Sequence, residues 1–123
     1  KVLLLEKPCR LVEINPQGIL PTPRFSHSMI YYPPSNILVV YGGRNDAFYE
    51  STGSLSLSDI RVFNLELMSW CPASSFGYAP QIPRHSHSCF LYNTHMLIFG
   101  GMQSTTLPDC TIYELELSKF KLI

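Results

Sequence analysis

The sequence predicts an all-β chain built from two four-stranded antiparallel units in tandem. Three observations carry this. The hexapeptide PRFSHS (Pro23 to Ser28) returns as PRHSHS (Pro83 to Ser88), matching at five of six positions at an offset of 60. Behind each copy lie short apolar runs rich in Val, Ile, Tyr, Phe and Leu, bounded by Gly, Pro, Asn and Ser, which is a strand signature. No stretch combines helix caps with a 3.6-residue apolar period.

The bulk composition agrees. A chain of 123 residues makes one domain at most. It is 46% hydrophobic and 15% charged, against about 25% charged in ordinary domains, so much of its surface should be covered by protein. Nine basic residues balance nine acidic ones, which argues against nucleic acid and against an anionic membrane as partners. No apolar run reaches the roughly 18 residues of a membrane span. The amino-terminal KVLLLEKPCR lacks the long apolar core of a signal peptide, and 2–5 is read as a strand. The chain begins at Lys1 without an initiator Met, as expected of a piece cut from something longer. Cys9, Cys71, Cys89 and Cys110 form no close pair of the kind zinc sites use. Each lies in or beside an apolar run, where a reduced thiol acts as a small hydrophobe. A reducing, cytoplasmic compartment is therefore expected.

Element by element, the first strand (A) covers Met29–Tyr32 in one copy and Cys89–Tyr92 in the other. Turns follow at Pro33–Asn36 and at Asn93-Thr94. The second strands (B) are Leu38–Tyr41 and Met96–Phe99, each closed by a glycine pair, Gly42-Gly43 and Gly100-Gly101, now at an offset of 58. The third strands (C) align Asp59–Leu67 with Asp109–Leu117 at an offset of 50, leaving eight extra residues in the first copy. The fourth (D) aligns Trp70 with Phe120. Leu5-Glu6 also matches Leu65-Glu66, so the amino end looks like the tail of an earlier copy. All ten prolines avoid the strand interiors. Leu38–Tyr41 is apolar at every position, which marks a strand covered on both faces. Four-stranded units that are apolar on both faces and repeat in tandem describe the blades of a β-propeller.

These motifs resemble the Kelch-repeat family over about residues 20–123: the paired glycines after the second strand, the Pro-Arg-x-x-His-Ser lead-in, and the aromatic Trp70 of the fourth strand. Phe120 stands where the family usually has Trp, and Tyr49 is placed as the family's tyrosine after the glycine pair. The resemblance implies a partial propeller whose remaining blades come from the same or another chain. It divides the sequence into 1–14, the last strands of a preceding blade; 15–24, an interblade connection; 25–74, a blade with a long B–C loop over 44–57; 75–84, a second connection; and 85–123, a second blade. Physical roles follow from position. Gly42, Gly43, Gly100 and Gly101 serve backbone that a Cβ would obstruct. Trp70 and Phe120 are plugs between blades. Arg24, His27, Arg84 and His87 are donors to buried carbonyls.

The chemistry-bearing alternatives are weaker. His85-x-His87 lies on one strand face, but His87 is already explained by its twin His27, and no third ligand is near, so no metal is expected. Ser26, Ser28, Ser86 and Ser88 flank histidines without the third group that a nucleophile needs. The Tyr41–Asn45 glycine stretch opens no helix and so offers no phosphate cradle. No catalytic residue and no cofactor are expected. Antiparallel order puts the short A–B and C–D turns at one end and the long B–C and D–A loops at the other. Those long loops carry Arg44, Asp46, Phe48, Tyr49, Glu50, Phe76 and Tyr78, aromatic and charged residues of the kind that anchor protein interfaces. The expected function is a non-catalytic interaction module or scaffold with a protein partner. The resemblance also implies two alternatives: the propeller domain of a larger phosphatase, methyltransferase or oxidase, or a structural subunit of a large assembly.

Overall fold

The computed structural model describes residues 8–49, 53–72, 83–103 and 110–118. These form two antiparallel sheets. The first has the order β1 (Ser28–Tyr32), β2 (Ile37–Tyr41), β3 (Ile60–Asn64) and β4 (Ser69–Trp70). The second has the order β5 (Ser88–Tyr92), β6 (His95–Phe99) and β7 (Ile112–Glu116). The strand expected at 2–5 and the fourth strand expected at Phe120 lie outside the described residues. Residues 8–16 take no strand; Gln17 makes a parallel bridge to Ser69 at the edge of the first sheet. Among the described residues no helix is long and apolar enough to cross a membrane.

Local chemistry sets the turns. The prolines of Pro33–Ser35 start a 3-10 turn that Asn36 closes at φ 52°, a left-handed geometry that asparagine tolerates well. In the second sheet Asn93, at φ 53°, begins the shorter turn. The β3–β4 turn is held by the Asn64 side chain, whose Oδ1 accepts from the amides of Glu66 (2.9 Å) and Leu67 (3.2 Å). Leu65 N donates to Asn36 O at 3.1 Å, so the two turns of the first sheet meet at one end.

The sheets stack face to face, with β1 against β5. Their shared core joins Tyr32, Ile37, Val39, Tyr41, Ile60 and Val62 to Met96, Ile98, Leu115 and Leu117. Ladder register explains the choice: Val39 lies opposite Val62 and Tyr41 opposite Ile60, so alternate residues share the inner face. Ile98, almost fully buried, is expected to cost about 3 kcal/mol on truncation to alanine, measured by urea unfolding.

The register corrects one alignment. Tyr41 pairs with Ile60, and its counterpart Phe99 pairs with Ile112. The third strands are therefore equivalent at an offset of 52, not 50, and the first copy carries six extra residues, not eight.

A polar seam closes the stack at the glycine end. Gly43 N donates to Arg84 O (2.9 Å), Arg84 N to Leu57 O (3.1 Å) and Ser86 N to Ser26 O (2.9 Å). Ser28 Oγ and His87 Nε2 share a hydrogen bond of 2.7 Å, as do Ser56 Oγ and His85 Nδ1. The His87 ring meets Tyr41 edge-on at 5.1 Å. Arg84, 1% exposed, gives Nη1 to Gly100 O at 2.7 Å and sits 4.7 Å over the Tyr113 ring. Arg24 repeats the first contact, Nη1 to Gly42 O at 3.0 Å, and adds a two-point ion pair to Asp59 at 2.6 and 2.9 Å. His27 is exposed, its Cβ flanking Gly43. Trp70 packs against Phe63 of its own sheet, with ring centroids 5.1 Å apart.

Candidate protein-binding face

The end of the molecule opposite the short turns carries the B–C loop and the chain entering β1. Two antiparallel bridges fasten them together. Phe25 and Arg44 exchange backbone hydrogen bonds of 3.1 and 2.8 Å, and Arg44 also bridges Ser56. Asn45 works in two directions: its Nδ2 donates to Pro23 O at 2.8 Å, and its Oδ1 accepts from Ala47 N at 3.0 Å, capping the 3-10 turn Asp46–Phe48. Pro23, Arg24, Phe25, Arg44, Asn45 and Asp46 line a shallow recess of about 310 Å³.

Its chemistry is mixed apolar and zwitterionic. The Arg44 guanidinium lies 5.8 Å from the Phe25 ring centroid and grips Asp46 through Nε (2.6 Å) and Nη2 (3.1 Å). The hydrogen bond from Arg44 holds the Asp46 carboxyl below its ordinary range and raises the arginine in turn. Both groups are solvent-facing, so the pair orients a side chain more than it stabilises the fold. Behind them His85 is pushed down by burial, then by Arg44, with Asp46 partly opposing. The recess is thus wired to the seam between the sheets.

Of the residues expected at this face, Arg44 and Asp46 come together as one unit, and Tyr49 stands exposed beside them. Glu50, Phe76 and Tyr78 lie outside the described residues, as does the Phe48 side chain. Phe25, Asn45, Ser56 and His85 were missed. Phe25 and His85 occupy the one position where the two hexapeptides differ, and that mismatch was the available signal: a varying position within a repeated scaffold motif. Among the described residues, no three His, Cys, Asp or Glu side chains converge as a metal site would require.

Comparison with known proteins gives the family. The model of the KLHDC2/KLHL20/DRC7 Kelch-repeats domain matches residues 6–123. Host cell factor 1 of Rattus norvegicus is 30% identical over 99 residues, which is 77% of this chain and 4% of that protein. The tRNA wybutosine-synthesizing protein 4 of the same species is 34% identical over 93 residues, 76% of this chain and 12% of the relative. Kelch domain-containing protein 3 of Mus musculus is 39% identical over 72 residues, 54% of this chain and 18% of the relative. The chain spans less than a fifth of the length of these relatives. With two antiparallel sheets stacked through repeated Arg, His and Gly-Gly positions, and a family match over nearly its whole length, the chain belongs to the Kelch-repeat family.

Proposed function

We propose that the chain is a non-catalytic protein-interaction module that holds a partner against the B–C and D–A loops. The observation that carries this is the recess over Phe25, Arg44 and Asp46, whose backbone is fixed by paired bridges while its side chains face solvent. A rigid frame presenting an aromatic ring, an arginine and a carboxylate binds at low entropic cost, and such residues dominate interface energetics. Burial raises the Cys71 and Cys89 thiols, which keeps them protonated and inert. That is in keeping with a reducing, cytoplasmic setting.

A photo-crosslinking amino acid at Tyr49 should capture partner protein, and the same group at Leu67, on the short-turn end, should not. Arg44→Ala should weaken the Tyr49 capture at least about tenfold, roughly 1.4 kcal/mol, with thermal unfolding unchanged. Equal capture from both ends would refute the assignment.

A second reading, the propeller part of a larger enzyme, is favoured by the similarity to tRNA wybutosine-synthesizing protein 4. Sequencing the parent transcript on both sides of these 123 residues decides between them.

A further inference from the structure

The two repeats use one position in opposite ways. Phe25 and His85 are the third residues of the twin hexapeptides, and each pairs its backbone with the residue after a glycine pair: Phe25 with Arg44, His85 with Met102. Phe25 is 53% exposed, whereas His85 is 4% exposed. What covers His85 is the B–C loop of the other repeat, the loop that carries the six extra residues. Ser56 Oγ and His85 Nδ1 share a hydrogen bond of 2.7 Å. Ser56 in turn backs the recess: it bridges Arg44, while Asn45 N donates to Leu55 O at 3.1 Å and Leu57 N to Gly43 O at 2.8 Å. A row of contacts thus runs Phe25, Arg44, Ser56, His85, Met102 across both repeats. Every link in that row is a backbone pair except one, the imidazole. The backbone of Arg84 anchors the foot of the loop at Gly43 and Leu57, and the next residue back along it, Ser56, meets the second repeat at the His85 ring.

The surroundings suit a neutral ring. Facing it among the described residues are Arg44 and Asp46 of the loop and, from its own segment, His87. Asp46 is already held by Arg44 through bonds of 2.6 and 3.1 Å. Arg84 aims its guanidinium elsewhere, at Gly100 O and the Tyr113 ring. A proton on His85 would therefore bury a cation near a second cation, with the facing carboxylate already taken. Burial, then the Arg44 charge, accordingly lowers the imidazole from its ordinary 6.5, with Asp46 partly opposing. The His85 backbone is fixed by bonds of 3.0 and 2.9 Å to Met102, so the charge is relieved by parting the ring from Ser56.

We propose that His85 is a positioning residue for the binding face and an acid-sensitive latch on the B–C loop. Neutral, it holds the loop in the form that presents Arg44 and Asp46; protonated, it releases Ser56 and the loop loosens. Control of partner capture rests on the proposed binding role of this face, whereas the latch itself does not. The sign follows from the lowered imidazole: the latch is closed above pH 6.5 and opens as pH falls below it. His87, at about 4, is still largely neutral at pH 5, so the sheets stay stacked while the loop opens.

Hydrogen–deuterium exchange with mass spectrometry on the full-length protein tests the latch, using fragments that cover 43–57 and 37–41. Between pH 7.5 and 5.0, corrected for intrinsic exchange, protection over 43–57 should fall about tenfold in wild type while 37–41 holds. His85→Asn, which keeps a neutral hydrogen-bonding group near the place of Nδ1, should show no fall. His85→Phe, the residue of the twin position, should be equally flat and serves if the first variant folds poorly. His87→Gln should keep the wild-type fall. A flat wild type, a fall that persists in both His85 variants, or loss over 37–41 at the same pH would overturn the latch. Capture through a crosslinker at Tyr49 should drop over the same range in wild type and stay level in His85→Asn. Level capture in wild type would overturn the control of binding. No capture at any pH, with the exchange step present, would refute the binding role and leave the latch standing.

Discussion

Gly42→Ala is expected to lower the unfolding temperature on the order of 10 °C, while Gly100→Ala lowers it by roughly a third as much. Both glycines have positive φ, 64° and 75°, so an alanine at either costs about 1 kcal/mol in backbone conformation. Only Gly42 faces a second obstacle. Its new methyl group would stand 2.6 Å from Arg84 O and 2.9 Å from His87 Cε1. The backbone carbonyl cannot yield without opening the seam hydrogen bonds, which adds about 2 kcal/mol. At Gly100 the methyl group meets open space among the described residues, so the stability cost is conformational alone. Scanning calorimetry on the two variants separates the terms. Equal losses would mean that the seam does not press on Gly42.

The second large effect is with pH. His87 is buried between the sheets, and burial, reinforced by the nearby Arg84 charge, pushes its pKa from 6.5 down to about 4. The folded state therefore resists a proton that the unfolded chain takes up. A group with a lowered imidazole pKa contributes full stability above the unfolded value near 6.5. That stability is lost as pH falls toward 4, up to about 3 kcal/mol in all. His85 shifts the same way and adds to the slope. The lowered carboxyls work in another window: Asp46 is held down by Arg44 and Glu116 is held to about 2 by its bonds from Ser118, so their losses come below the ordinary carboxylate range. Urea unfolding between pH 6.5 and 4.5 should show stability falling with acid in wild type. The slope should be visibly flatter in His87→Gln. Identical slopes would place His87 in solvent.

Much of the fold was legible because its physical determinants are local. The apolar runs at 29–32 and 38–41 fall within one residue of β1 and β2; β2 is covered on both faces, whereas Met29 and Tyr31 put the outer face of β1 in solvent. The third strand shows the limit of matching letters. The sequence aligns Leu65-Glu66-Leu67 with Leu115-Glu116-Leu117, yet Leu67 is 72% exposed and Leu117 is fully buried. Hydrogen-bond register pairs Leu117 with Leu65 instead: Leu117 N donates to Thr94 O, as Leu65 N does to Asn36 O. A shift of two residues keeps every side chain on its own face, so apolar alternation alone could not detect it. The site was half legible. Arg44 and Asp46 stood out by type, but Phe25 and Asn45 join them only because the chain folds back through bridges between residues 19 positions apart. Nothing in the local sequence of either segment encodes that contact.

The fold is two separate sheets stacked through one seam, and nuclear Overhauser contacts across that seam test this most directly. The stacked arrangement predicts a strong contact between His87 Hε1 and the Gly42 α-protons, the ring carbon lying 2.9 Å from where a Gly42 Cβ would be. Its absence with both resonances resolved, or backbone contacts that pair β5 with β4 in one continuous sheet, would contradict the account.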